Sequence, residues 1–271
     1  MSIDIKIRKE TIKDFNNQWK LQGELNDDFW CSDEVIIDQF DNIFDINQIS
    51  NKIVGDMGAG PGRVVRTLLK FNPKKLFAIE PSDMGVKKMT NNFKSHKNLQ
   101  IIQSDGLNFK TSELCDIIFS LGVIHHIKNP TDVLANIRKN LKENGQIVIW
   151  VYGYENNLPY IIFYKIISKI TKYLPDKILY ILSNILNLIL QPYIFMCKFF
   201  NLPLKDYFLK VFNKFGWTKR NDVIFDQLNP QYAKYYKKDE IIKELKDAGF
   251  KDLKISHKHN YSWTVVGKNS I

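Results

Sequence analysis

The sequence predicts an α/β fold: a seven-stranded sheet, parallel except for one strand near the C-terminus, with a helical N-terminal cap and a helical insert. Three observations predict it. Short apolar runs alternate with amphipathic helical stretches from residue 53 to 152, a glycine-rich turn follows the first run, and the last two runs are joined by too short a link for a crossover.

The elements follow in order. Residues 1–52 read as helical, with Phe15 and Trp19 on one face, and are expected to cap the sheet edge or a ligand pocket. The runs at 53–57, 76–79, 99–102, 116–119 and 146–152 read as buried parallel strands bounded by turn residues. Between them, Val64, Val65, Leu68 and Leu69 mark one helix face, and Val86, Met89 and Phe93 a second. Leu134, Ile137 and Leu141 mark a third helix, expected to stop at Asn144-Gly145. Near the end, Ile241, Ile242, Leu245 and Ala248 predict a helix stopped by Gly249, followed by strands at 252–256 and 263–267. The core is therefore 53–154 plus 237–271, and 155–236 is an insert too long for an ordinary loop.

Composition sets limits on function. With 271 residues, 44% hydrophobic and 25% charged, the chain can bury a full core. Residues 1–10 alternate apolar with charged side chains, so no export signal is expected and the location predicted is cytoplasmic. Cys31, Cys115 and Cys197 are widely spaced and lack any Cys/His ligand spacing, which predicts reduced thiols and no metal site. The net charge of +10 raises nucleic acid, a membrane surface or a phosphorylated substrate as partners. The lysines are dispersed, so a solvated surface is the simplest reading.

The first strand runs into Asp56-Met57-Gly58-Ala59-Gly60-Pro61-Gly62, and a helix starts at once. Gly58 and Gly60 allow positive φ and a close ligand approach. A dinucleotide fingerprint read from Gly58 would need glycine where Arg63 stands, and the Gly-Lys-Ser/Thr of a P-loop is absent. The segment instead resembles motif I of the class I methyltransferases, whose fold is Rossmann-like and whose cofactor is S-adenosylmethionine. The resemblance continues in register. It implies that Glu80, with Pro81 beside it, meets the ribose; that Asp105 and Gly106 meet the adenine; and that Ser120 and Leu121 line the methionine end. Asp56, Gly58, Ala59 and Gly60 complete the implied cofactor set.

Methyl transfer from a sulfonium needs an aligned acceptor, excluded water and, for an oxygen nucleophile, a base. His125 and His126 follow strand four, where many small-molecule methyltransferases of this class carry a similar histidine. His257, His259 and Tyr261 share one parity and would share one face of an extended strand, so His257 and His259 are further candidates. The alternative for His125 and His126 is packing or hydrogen bonding within the fold, and for His257 and His259 an exposed polar hairpin. The (Asp/Asn/Ser)-Pro-Pro-aromatic sequence of base amino-methyltransferases is replaced by Ser120-Leu121-Gly122-Val123, which disfavours nucleic acid.

In the insert, 178–200 is mostly apolar, but Ser183, Asn184, Asn187 and Gln191 form a polar stripe and Pro192 should break or kink the helix. A partly amphipathic helix pair is predicted. It would serve as a lid, as a homodimer face, or as a peripheral membrane contact with Lys165, Lys169, Lys172, Lys177 and Lys198 near headgroups. Tyr232, Tyr235 and Tyr236 suit a sugar or another polar ligand, with a packed tyrosine cluster as the alternative. From 225 to 268, Asp-Gln-Leu-Asn-Pro, Ala-Gly-Phe and Tyr-Ser-Trp-Thr-Val-Val-Gly look like bacterial methyltransferases associated with surface polysaccharides. That resemblance implies O-methylation of a sugar, a glycan precursor or a phosphate-type group in capsule or lipopolysaccharide biosynthesis. N-methylation of an amino sugar, a non-catalytic cofactor-binding module and an RNA methyltransferase are the alternatives.

Overall fold

Strands buried on both faces need helices on both sides, and the apolar runs place them there. The computed structural model describes residues 3–21, 32–171, 173–228 and 232–270; Cys31, Lys172, Asn229 and Pro230 lie outside them. The strands are β1 (Ile53–Met57), β2 (Lys75–Glu80), β3 (Leu99–Gln103), β4 (Cys115–Leu121), β5 (Leu141–Tyr152), β6 (Phe250–Lys258) and β7 (Ser262–Asn269). They form one seven-stranded sheet in the order β3-β2-β1-β4-β5-β7-β6. β1, β2, β3, β4 and β5 pair in parallel, and β7 runs antiparallel to both β5 and β6. The single reversed strand agrees with the sequence reading. Strand order reverses at β1, so the carboxyl ends of β1 and β4 form the crevice in which such sheets bind ligands.

Two cores lie on the two faces. On one, α5 (Thr131–Lys139) and α10 (Lys238–Asp247) pack Leu134, Ile137, Ile241 and Leu245 on Phe77, Ile118 and Ile149. On the other, α2 (Asp33–Phe40) and α3 (Arg63–Lys70) pack Ile36, Phe40, Val65 and Leu68 on Val54, Leu76 and Phe119, and α4 (Asp83–Asn92) adds Met89. α1 (Ile3–Leu21) lies over the carboxyl ends of the strands. The helix expected to reach Asn144-Gly145 ends earlier, at Lys139. Leu141 already pairs with Cys115. The Asn140 side chain accepts from Thr111 N at 2.9 Å and donates to the Asn136 carbonyl at 2.9 Å, and this stops the helix.

The insert holds α6 (Leu158–Thr171), α7 (Asp176–Met196), α8 (Lys205–Lys210) and α9 (Trp217–Leu228) around a third core of Leu179, Ile194, Phe208, Phe212 and Phe225. One sequence expectation is corrected here. α7 is one helix running through Pro192, not a broken pair. Its polar stripe faces inward: Ser183 and Asn187 are fully buried. Asn187 Nδ2 donates to the Trp217 carbonyl at 3.2 Å, and Arg220 Nη1 donates to Gln191 Oε1 at 2.9 Å. These bonds satisfy groups that burial would otherwise penalise, so the polar side of α7 is its contact with α9.

Phe119 ties the N-terminal cap to the sheet. It is fully buried, with its ring 5.5 Å from Phe40 and 5.4 Å from Phe44. Phe119→Ala is expected to cost about 3–5 kcal/mol of stability, read from the urea unfolding midpoint. A cost under about 1 kcal/mol would mean that this contact does not hold the cap.

Candidate active site

The turn after β1 is built from its own backbone. Gly58 and Gly60 have φ of 82° and 55°, and a Cβ on Gly58 would lie 2.4 Å from Val123 Cγ2, so only glycine fits there. Gly58 N and Ala59 N donate to the Ile79 carbonyl at 2.8 and 3.0 Å. Gly60 N donates to Glu80 Oε2 at 2.8 Å, while Glu80 Oε1 accepts from the Ser82 backbone and hydroxyl. Glu80 thus braces the turn as well as facing the cavity beyond it. Burial pushes its carboxyl above the ordinary range, against these hydrogen bonds.

That cavity, about 1370 Å³, lies along the carboxyl ends of β1, β2 and β4 and is bordered by Gly58, Ala59, Gly60, Glu80 and Pro81. Asp105, Gly106 and Leu121 continue the wall. Asp105 Oδ1 caps the following turn by accepting from Leu107 N and Asn108 N at 3.1 Å each, and its Oδ2 lies 3.5 Å from Arg8 Nη1. Asp56 and Ser120 are buried but do not border the cavity. Burial pushes the Asp56 carboxyl up to about 7, against the pull of Arg63 and with the help of Glu80. Gly122 borders open space, since a Cβ there would meet nothing within 4 Å.

The N-terminal segment, expected to cap either the sheet edge or a ligand pocket, forms the roof of this cavity. α1 crosses the glycine turn, with Trp19 so close that a Cβ on Gly60 would lie 3.1 Å from its ring. Asn16 Oδ1 accepts from Met84 N at 3.0 Å, and the buried Gln18 donates to Asp226 Oδ1 of the insert at 2.7 Å. The amphipathic face of Phe15 and Trp19 was the available signal. Only the fold shows that it lies on the cavity.

Beyond Gly122 the cavity opens into an aromatic and amide compartment. His126 borders it; its Nδ1 lies 2.9 Å from the Tyr232 carbonyl, and Phe15 packs edge-on at 5.0 Å. A carbonyl can only accept, so Nδ1 carries the proton and Nε2 is the basic nitrogen. Burial pushes the His126 pKa below its ordinary value, while the Tyr232 carbonyl and Asp226 pull the other way. His125 lies behind, fully buried against Tyr152 at 3.9 Å, with no hydrogen-bond partner on either ring nitrogen among the described residues. Tyr152 OH accepts from Gln227 Nε2, and Tyr160 OH donates to Gln227 Oε1 at 2.8 Å. Asn157 Nδ2 donates to the Gly153 and Tyr261 carbonyls at 2.7 and 2.8 Å, and its buried Oδ1 has no hydrogen-bond partner among the described residues.

The remaining candidates divide. Tyr235 stacks on Tyr152 at 5.5 Å and borders the cavity, as does Tyr261. Tyr232 and Tyr236 do not; Tyr236 OH donates to Glu244 Oε2 at 2.8 Å on the far side. Of the shared face expected for His257, His259 and Tyr261, only His259 and Tyr261 come together, with their rings stacked 6.4 Å apart and both bordering the cavity; His257 lies apart. His259 and Asn260 both have positive φ, and Tyr261 N donates to the Lys258 carbonyl, so a tight turn interrupts the strand. His257 stacks on Trp263 at 4.1 Å, away from the cavity, and His259 Nε2 lies 2.7 Å from Asp38 at the cavity rim. Among the described residues, no group of three or more His, Cys, Asp or Glu is placed to hold a metal ion.

Asp56 gives a measurable signature. Its folded pKa stands above the ordinary 3.8, so the folded protein holds an extra proton and loses stability as pH rises from about 4 to about 7. Asp56→Asn removes that loss. The melting-temperature difference between the ligand-free variant and wild type is expected to move in the variant's favour from pH 5 to pH 8; a constant difference would contradict the assignment.

Known proteins resemble this arrangement. The model of a methyltransferase domain matches residues 55–149. The tRNA U34 carboxymethyltransferase of Histophilus somni (strain 2336) is 25% identical over 192 residues, covering 68% of this chain and 56% of that protein. That of Campylobacter jejuni (strain RM1221) is 30% identical over 112 residues, covering 38% and 36%. The chain thus spans about half the length of the first of these relatives or less. Among solved structures, magnesium protoporphyrin IX methyltransferase from Synechocystis PCC 6803 with bound SAH superposes with a TM-score of 0.55 at 13% identity, covering 98% of each chain. An S-adenosylmethionine dependent methyltransferase from Mesorhizobium loti gives 0.52 at 8% identity, covering 88% of this chain and 98% of that one. These likenesses establish the fold. The chain thus has the fold of these methyltransferases, and its residues 55–149 match the methyltransferase-domain model.

Proposed function

We propose that the protein transfers the methyl group of S-adenosylmethionine to a hydroxyl of a small polar acceptor, with His126 as the general base. The observation that carries this reading is the anchored ring of His126: its Nδ1 is held by the Tyr232 carbonyl, which leaves Nε2 as the basic nitrogen, and the residue borders the compartment that continues from the open space at Gly122. The cavity suits the cofactor. Of the two buried carboxylates that burial pushes up, Glu80 borders the cavity and Asp56 lies behind its wall, and a cationic ligand in the cavity would favour the ionised form of both. When bound, the cofactor supplies an electrophilic methyl group.

The chain's residues would do the rest. Glu80 and Asp105 offer carboxylate oxygens to the ribose and adenine, and α1 covers the turn and limits water. Asn157 Oδ1 would accept from an acceptor hydroxyl, and Tyr152, Tyr160 and Tyr235 give it an aromatic wall braced through Gln227. A sugar hydroxyl of a glycan precursor or a phosphate-bearing sugar suits a wall of aromatic and amide groups. N-methylation of an amino sugar is its near rival.

A second reading has its own support. The curated relatives named above are tRNA U34 carboxymethyltransferases, and the chain carries a net charge of +10. The sequence expectation that nucleic acid is disfavoured therefore loses its force, and transfer of a methyl group, or of the carboxymethyl group that those relatives' names give, to RNA is the alternative. RNA as acceptor predicts tRNA binding that weakens steeply with salt in filter-binding titrations. Negligible affinity at moderate salt would remove it.

His126→Gln is expected to lower kcat by about 10²–10⁴-fold while leaving S-adenosylhomocysteine affinity unchanged in calorimetry. Since burial holds the His126 pKa below 6.5, the base is neutral at pH 7, and wild-type kcat/KM should be level near neutrality and fall on its acid side. The variant should lack that acid limb. An acid limb identical in both proteins would exclude His126 as the base.

A further inference from the structure

The insert presents its apolar side to the outside. On α6, Ile162, Ile166 and Ile170 recur every fourth residue at 52%, 62% and 66% exposure. On α7, Ile181, Ile185 and Leu188 stand at 61%, 51% and 64%, while its polar stripe is buried against α9. Phe199 and Phe200, just past α7, are exposed at 68% and 60%, and Tyr173 caps the turn between the helices at 78%. A solvated helix has the opposite arrangement, so this face is built for an apolar neighbour.

We infer that α6 and α7 dock the protein on the surface of a membrane with anionic headgroups. Charge identifies the occupant. Between residues 158 and 200 the sequence holds Lys165, Lys169, Lys172, Lys177 and Lys198 against a single acid, Asp176. Such an excess of lysine in an apolar segment complements anionic lipid. A second copy of the chain would bring the same lysines face to face, because a two-fold contact sets one patch against itself. α7 is apolar enough and long enough to cross a bilayer. Its inner side, however, is fastened to α9 through Asn187 and the Arg220–Gln191 bond, so it lies on the bilayer and does not cross it. The exposed aromatics suit the headgroup level.

The face is continuous with the cavity. Phe163 and Ile189 border the cavity and are also 50% and 60% exposed, so docking sets that wall of the acceptor compartment against the lipid. This inference goes beyond the proposed reaction and does not depend on it.

The test is sedimentation of the full chain with vesicles of phosphatidylglycerol and phosphatidylcholine in equal parts, and with vesicles of phosphatidylcholine alone. Binding is expected to the mixed vesicles, weaker to phosphatidylcholine alone, and reduced by high salt. Neither Ile166 nor Ile185 borders the cavity. The double variant Ile166→Asp, Ile185→Asp should weaken binding by about tenfold or more, with an unchanged melting temperature and unchanged S-adenosylhomocysteine affinity to show that it is folded. No binding of wild type to the mixed vesicles, or equal binding by the double variant, overturns the inference. So does a wild-type dimer in light scattering that the same double variant converts to monomer. Cofactor affinity is read separately, so failure to dock is distinguishable from failure of the methyltransferase reading.

Discussion

The hydrogen bond from Gly60 N to Glu80 Oε2 joins the two strands on which the site depends. The turn after β1 must leave the sheet sharply, and its freed backbone N–H groups need acceptors. Ile79 O takes two of them and Glu80 takes the third. A carboxylate buried to this degree is costly alone, but it is held by three donors and borders a cavity able to receive a cation. The same residue therefore fixes the turn and prepares the site.

α1 and the insert enclose what the sheet leaves open. Arg8 reaches Asp105, Trp19 lies over Gly60, and Gln18 meets Asp226, so one helix touches the turn, the far carboxylate and the insert. Asp226 influences His126 in turn, which connects the roof to the candidate base.

The insert inverts the usual arrangement of a surface helix. Its polar side chains pair with one another and with backbone carbonyls against α9, while branched aliphatic residues face outward. Buried amide groups that are fully paired specify one packing register, whereas apolar contacts alone would permit sliding. The inversion thus fixes α7 on the domain and leaves a defined apolar face for another phase.

Within the sheet, local pattern was sufficient. Continuous apolar runs, the glycine turn and the short link at 259–261 specified strand positions and the reversed β7, because burial on two faces and chain reach leave few alternatives. The Asp56 to Gly62 turn, Glu80 and Asp105 were legible for the same reason: each ends a strand. Where a side chain's direction depends on a distant segment, the sequence was silent. It did not separate His126, anchored by Tyr232, from His125, packed behind Tyr152, and it did not show that the turn at His259-Asn260 would cancel strand parity. Periodicity identified the two sides of α7, but only tertiary packing decided which faced inward. The physical reason is that a hydrogen-bonding partner such as α9 can make the polar side the buried one.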